Sequence, residues 1–205
     1  MKLIDISHDF NNSTPIYPGD FKSSLNKYKN LDEDYYTSYL LTTCLHTGTH
    51  IDAPMHLIND NKMISEFPLD SFVGKGVLLD VRGEDIIEMK SCYEEMIEEG
   101  SIVLIYTGFD ELYDRGEYFS SHPIIDKKLC DFFISRKIKM IGMDMASPDY
   151  PPFDIHKALL SNNIFILENL TNLNELLEIN SFEVIALPLK ISAEASLVRA
   201  ICRVI

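Results

Sequence analysis

The stretch DKKLCDFFISRKIKMIGMDM (Asp126–Met145) changes character partway along. Asp126 to Lys137 has the pattern of a helix, and KMIGMDM (Lys139–Met145) reads as a short buried strand. The same alternation surrounds it. GVLLDV (76–81), SIVLIYTG (101–108), IFILENL (164–170), FEVIALPLKI (182–191) and VRAICRVI (198–205) read as strands. Helical patterns cover Asp85 to Glu99 and Asp154 to Asn162, with a shorter one at Asn174 to Glu178. From about residue 77, therefore, the expectation is an α/β layer. KLIDIS (2–7) and SYLLTTCL (38–45) add strands to a first 70 residues that are otherwise rich in turn and loop, as in NNSTPIYPGD. That beginning does not fit a simple doubly wound unit, and its topology stays open.

Composition sets outer limits. The 205 residues are 46% hydrophobic and 24% charged, ordinary for a globular protein. No repeat, low-complexity run or Gly/Ser linker divides them, so one domain over 1–205 is expected. The net charge of −14 argues against nucleic-acid partners and against docking on anionic membranes. The acidic run GEDIIEMKSCYEEMIEEG (83–100) reads as a solvated helix face. MKLIDISHDF has no apolar core of signal-peptide length, and the four cysteines form no CxxC. A cytoplasmic protein with reduced thiols is the expectation.

LHTGTHIDAPMH (Leu45–His56) holds three of the six histidines. A helix would bring His46 and His50 together but turn Asp52 away, and Gly48, Pro54 and the β-branched residues oppose it. A straight strand would put His46, His50, Asp52 and His56 on one face but leave the end histidines roughly 33 Å apart. Ligands of one metal ion must lie within about 2.0–2.2 Å of it. The remaining solution is a bent chain, with Gly48 supplying the bend and Pro54 stiffening the exit. More donors must come from elsewhere. His156 follows Asp154, a candidate N-cap, in the first turn of DIHKALLSNN, where the helix dipole helps keep an imidazole neutral. Glu168 stands in the apolar strand IFILENL, where an acid is paired, at an exposed strand end, or a ligand. The helix leading away from His156 and the strand returning to Glu168 have comparable lengths, so the two can end up level. His8 and His122 are assigned to loop or packing roles. Asp144 and Asp149, in MDMASPD, are read as helix and turn caps in preference to partners of a ligand.

HTGTHIDAPMH resembles the HxGTHxDxPxH signature of the cyclase family of metal-dependent hydrolases, which includes bacterial kynurenine formamidases. DISHDFNNSTPIYPGD, IYTGF and GMDMASPD…HKALLSNNIFILENLTNL are similar to the family's opening, middle and C-terminal blocks. The resemblance implies an α/β layer around a barrel-like mixed sheet, in dimers or larger homo-oligomers. It implies His46, His50 and Asp52 as ligands of a first divalent ion, with Asp52 bridging to a second. His156 and Glu168 are implied as the distal ligands, and His56 as the acid–base histidine. One or two zinc ions are expected, with manganese also suited to such donors. The implied reaction is amide hydrolysis of a small molecule by an activated water, on N-formylkynurenine or a related aryl formamide. Kynurenine formamidases of the family generally carry tryptophan where this chain has Tyr17, which leaves a cyclic amide (as in the related isatin hydrolases) or an ester open. Tyr17 is either a stacking wall for an aryl ring or a packed turn aromatic. A protein that binds or senses metal without catalysis is the alternative from another class; a donor set of histidine and carboxylate without cysteine favours the enzyme.

Overall fold

The expected alternation takes the form of four parallel strands wrapped between two apolar layers. A computed structural model describes all 205 residues. Its strands are β1 (Leu3–Asp5), β2 (Ser24–Lys29), β3 (Ser38–Thr42), β4 (His50–Asp52), β5 (Val73–Asp80), β6 (Ile86–Ile87), β7 (Ile102–Tyr106), β8 (Ile124–Ile125), β9 (Met140–Met143), β10 (Phe165–Glu168), β11 (Phe182–Ile185), β12 (Ala195–Leu197) and β13 (Ile201–Val204). The helices are α1 (Leu31–Asp34), α2 (Tyr93–Met96), α3 (Lys127–Ser135) and α4 (Asp154–Ser161). Nine strands form one mixed sheet in the order β1-β13-β11-β5-β7-β9-β10-β4-β12. Strands β5, β7, β9 and β10 are parallel, and the flanking pairs are antiparallel.

Alternation along the central strands explains the layering. Ile102, Leu104 and Tyr106 point to one core, with Leu167 of β10 and Ile4 of β1. Val103 and Ile105 point to the other, beneath Leu129 and Phe133 of α3 and Leu159 and Leu160 of α4. The two cores hold 21 and 20 buried residues, so both faces of the parallel strands are covered. The first core lies inside a curl. Beyond β1, Ser7 bridges to Leu170 beyond β10, and Thr171 N–H donates to the Ile6 carbonyl at 3.1 Å. An edge strand thus meets the seventh strand in the order, which makes the sheet barrel-like.

Two helix expectations are corrected. Asp85–Glu99 is not one helix: Ile86–Ile87 pairs in parallel with Ile124–Ile125, and only Tyr93–Met96 is helical. The buried residues there include Ile87, Tyr93 and Ile97. A continuous helix would place Ile87 and Tyr93 about a third of a turn apart and could not seat both in one core. The Asn174–Glu178 helix is instead a 3₁₀ turn at Leu173–Leu176, where two buried leucines three residues apart match the tighter period. In contrast, α3 and α4 stand where expected, with the Asp126 side chain capping Lys128 N–H. No helix is long and apolar enough to cross a membrane.

Gly142 of β9 faces the inside of the curl, where an added Cβ would lie 2.7 Å from Leu104 Cδ2 and 3.0 Å from Leu170 Cδ1. Gly142→Ala is expected to cost roughly 1–3 kcal/mol by overpacking. Gly116→Ala has open space around it and should stay within about 0.5 kcal/mol. Urea unfolding of both variants checks this, and equal midpoints would contradict the packing assigned to Gly142.

Candidate metal centre

The site begins with a strand of three residues. In β4, His50 lies opposite Glu168 of the antiparallel β10, and Asp52 lies opposite Ile166. His50 and Asp52 share a face because they are two apart, and the intervening Ile51 enters the inner core. Ile166 belongs to the layer under the helices, so the polar face of β4 looks toward α4. Gly48, at φ +72°, provides the bend expected before the strand, and His46 folds back until its Nδ1 is 2.8 Å from Asp52 Oδ1. Pro54 opens a 3₁₀ turn, Pro54–His56, that returns His56 to the same side. Its ring centre lies 4.2 Å from that of His46 and 6.4 Å from that of His156.

The distal donors meet this group, as the helix-and-strand geometry allows. His156 Nε2 lies 3.3 Å from Glu168 Oε1 and 4.0 Å from Asp52 Oδ2. His50 Nε2 lies 3.4 Å from Asp52 Oδ1 and 3.5 Å from Glu168 Oε2. Two sets of candidate donors result, His46–His50–Asp52 and Asp52–His156–Glu168, each with its atoms within 4.8 Å of one another. Donors about 2.1 Å from one tetrahedral ion stand roughly 3.4 Å apart, close to most of these spacings. A second observation supports the fit. His50 Nε2, Asp52 Oδ1 and Glu168 Oε1 are buried and engage no partner in hydrogen-bond geometry, although such atoms are normally satisfied. They converge on common points instead of bonding to one another, as donors to a cation do.

Hydrogen bonds behind the rings settle which nitrogen is available. His50 Nδ1–H donates to the Gly48 carbonyl at 2.8 Å, and the same oxygen accepts from Asn169 Nδ2 at 2.9 Å. His156 Nδ1–H donates to Asp149 Oδ1 at 2.6 Å. Both Nε2 atoms then face the cluster. The cap expected at Asp154 is corrected: Phe153, at φ +62°, precedes the helix, and Asp149 Oδ2 accepts from Ile155 N–H at 2.7 Å. Asp149 is therefore both a cap and the partner of His156. MDMASPD places two acids near each other, but only the tertiary fold points one of them at His156. Asp144 has the capping role expected, accepting from Thr107 N–H and Oγ1–H and from Gly108 N–H. Burial raises its pKa to about 6 against those bonds. His8 stacks on Tyr113 and His122 on Tyr150, which are packing roles.

Charge in the cluster is unevenly held. Burial opposes ionisation of Asp52, but His46 and His50 outweigh it and keep its carboxyl well below the ordinary range. Glu168 is raised by burial and then by the charge of Asp52. Burial lowers the His156 pKa, yet Asp149 and Glu168 raise it to about 10. His46 rises to about 9 because Asp52 overcomes the same burial cost. Burial depresses His56, with the neighbouring imidazoles adding to the effect, so its ring is neutral at pH 7. A cavity of about 240 Å³ opens onto the cluster between Tyr17, Phe119 and Phe153. Tyr17 contacts Phe119 edge-on at 5.7 Å, so it is at once a packed turn aromatic and a cavity wall. Phe119, Phe153 and Asn169 carry no local sequence signal that marks them for the site. Neither does Glu194, whose Oε1 lies 3.4 Å from His46 Nε2.

Asp149→Ala removes the acceptor that orients His156. The expected outcome is a 10–100-fold loss of affinity for zinc in a chelator competition. Unchanged affinity would reduce Asp149 to a helix cap.

The chain is similar to known proteins along nearly its whole length. A family model described as "Putative cyclase" matches residues 4–150. The chain is 33% identical to a kynurenine formamidase from Bacillus anthracis over 209 aligned positions, covering 98% of this chain and 97% of that protein. Its fold is similar to that of an isatin hydrolase bound to thioisatinate, with a TM-score of 0.87 at 21% identity, covering 98% of this chain and 91% of the other. It is also similar to a potential metal-dependent hydrolase with cyclase activity, with a TM-score of 0.81 at 21% identity, covering 98% and 96%. The matched span of the family model and the chain-long identity to the Bacillus enzyme establish that this chain belongs to the cyclase family.

Proposed function

We propose that this chain is a metal-dependent amidohydrolase acting on an aryl formamide, of which N-formylkynurenine is one candidate. The observation that carries the reading is the convergence of unpartnered Asp52 and Glu168 atoms at the floor of a cavity walled by aromatic rings, with the unpartnered Nε2 of His50 buried beside them. Likeness to a kynurenine formamidase along the whole chain supports the amide. Likeness to an isatin hydrolase supports a second reading, a cyclic amide opened by the same machinery; an ester would suit that machinery as well. A protein that only stores or senses metal accounts less well for the aromatic cavity and for neutral His56 beside the donor sets.

In this reading His46, His50 and Asp52 hold one divalent ion and Asp52, His156 and Glu168 a second. Zinc suits the mixture of imidazole and carboxylate, and manganese the carboxylate-rich set. Bound ions would supply Lewis acidity, lowering the pKa of a water from about 15.7 to about 7 and stabilising negative charge on the attacked carbonyl oxygen. The protein's own groups do the rest. Gly48 and Asp149 hold His50 and His156 with their Nε2 atoms forward. Neutral His56 accepts the proton of the attacking water on its ring and returns it to the leaving nitrogen, which an amide needs because its amine leaves poorly. Tyr17, Phe119 and Phe153 bracket the aryl ring and exclude bulk water. We place this activity in one domain spanning 1–205, in the cytoplasm, where the four unpaired cysteines suit a reducing compartment. We also assign it to a homodimer or larger homo-oligomer.

The experiment loads the protein with zinc or manganese and measures turnover of aryl formamides, cyclic amides and activated esters. Inertness toward all three classes would overturn the catalytic reading. His50→Ala should lose both bound metal and activity, since ligand loss is coupled to metal affinity and folding. His56→Asn should keep most of the metal and lose on the order of 10²–10⁴ in kcat. That loss should be smaller on an activated aryl ester, whose leaving group departs with less help. Metal analysis and kcat for both variants separate the roles: if His56→Asn empties the site as completely as His50→Ala, His56 is a ligand.

A further inference from the structure

The Tyr118 hydroxyl reaches the donor sets from outside both main cores. Tyr118 lies in the 3₁₀ turn Gly116–Phe119, one residue before a wall of the cavity, and is fully buried. Its ring packs in a small aromatic cluster, edge-on to Tyr113 at 5.1 Å and to Phe119 at 5.2 Å. Its hydroxyl donates to Asn169 Oδ1 at 2.9 Å. The Tyr113 hydroxyl in the same cluster is buried too and has no partner, so the aromatic packing by itself supplies no acceptor. At its other end the Asn169 amide turns Nδ2 toward the bend, where it donates to the Gly48 carbonyl at 2.9 Å. That carbonyl also accepts from His50 Nδ1–H at 2.8 Å. Nδ2 and His50 Nδ1 stand 3.4 Å apart, two donors converging on one oxygen. Since a carbonyl only accepts, the amide must present Nδ2 to Gly48 and Oδ1 to Tyr118.

We propose that Tyr118 is a positioning residue for His50, acting through the Asn169 amide. The need arises at the bend. Gly48, at φ +72°, has no side chain to fix its peptide plane, yet the carbonyl of that plane takes the His50 nitrogen that must stay out of the donor set. Asn169 grips the bend twice: Nδ2 holds the Gly48 carbonyl, and the Asn169 carbonyl accepts from Thr49 Oγ1–H at 2.6 Å. It reaches both because the backbone turns out of β10 at φ +57°, a left-handed conformation that asparagine adopts more readily than most residues. The grip depends on which end of the amide faces Gly48. An asparagine amide has no sharp preference about its last torsion, and the Tyr118 hydroxyl is the donor that pins its oxygen end. Without that hydroxyl, buried Oδ1 loses its donor and the amide is free to turn over, setting oxygen against the Gly48 oxygen. Tyr118 is enclosed and does not line the cavity, whereas Phe119 and Asn169 do. Its effect is therefore on the aim of His50 and not on contact with substrate.

This inference rests on the metal centre proposed above, and the test separates the two. Zinc affinity is measured by chelator competition for the wild type, Tyr118→Phe, Asn169→Gly and the double variant. Phenylalanine keeps the ring and removes only the hydroxyl, and glycine keeps the left-handed backbone without strain. Tyr118→Phe should weaken zinc binding about 10-fold, the low end of the range for groups behind a metal ligand. Asn169→Gly should weaken it at least as much. The double variant should be no weaker than Asn169→Gly, because the hydroxyl acts on His50 through the amide. Tyr113→Phe, a control in the same aromatic cluster, should bind zinc as the wild type does. A second readout needs no metal: the His50 Nδ1–H proton, followed by NMR in isotopically labelled protein, should exchange with solvent faster in Tyr118→Phe than in wild type. Undiminished zinc affinity in Tyr118→Phe would reduce Tyr118 to a packing residue and overturn the inference. So would losses from Tyr118→Phe and Asn169→Gly that multiply in the double variant. A wild type that binds neither zinc nor manganese overturns the metal centre; proton exchange then decides the role of Tyr118, and an unchanged rate overturns that as well.

Discussion

The antiparallel register of β4 on β10 is the constraint on which the site depends. It sets His50 across from Glu168 and keeps Asp52 on the same face two residues later. A slip of one residue would send His50 and Asp52 into the inner core and turn Ile51 toward α4. The register is held from both sides. Ile51 is fully buried in the inner core, and β12 pairs on the other edge with Ala195 opposite Asp52 and Leu197 opposite His50. A three-residue strand has little stability of its own, so its neighbours position the donors.

Burying this many ionisable groups is costly without compensation. Asp52 and Glu168 are almost fully buried, with imidazoles beside both. His46 and His50 hold the first carboxyl low, while burial and then the charge of Asp52 push the second high. A divalent cation held there would ease the conflict, and its binding would then be coupled to stability of the fold around it. The surrounding bonds fit such a cation. Gly48 O and Asp149 each take the nitrogen that is not needed, and Asn169 reinforces Gly48. His56 stands outside both donor sets, where a neutral ring can carry a proton.

Much of this was legible in residue types and spacing. The switch between helical and strand patterns from residue 77 marks the parallel centre of the sheet, because strands buried on both faces carry continuous apolar runs. Gly48 marks the bend, because positive φ is inexpensive only for glycine. The distance from His156 to Glu168 follows from helix and strand rise. The failures have physical causes too. At Asp85–Glu99 the local acidic, helix-like pattern yielded to pairing between Ile86–Ile87 and Ile124–Ile125, a contact nearly forty residues distant. Strands β4 and β12 are too short, and β4 too polar, to register as strands.

By itself, then, the sequence determined the kinds of element and the donor chemistry, since periodicity, glycine conformation and the protonation behaviour of histidine and carboxylate are local properties. It pointed to the members of each candidate donor set only through the resemblance that LHTGTHIDAPMH carries. Tertiary structure alone decided the rest. The curl that joins Ser7 to Leu170, the aim of Asp149 at His156, the aromatic walls from Phe119 and Phe153, and the bond from Tyr118 to Asn169 all depend on contacts between distant segments. Such contacts are set by which buried surfaces fit together, a property of the packed chain that no local stretch contains.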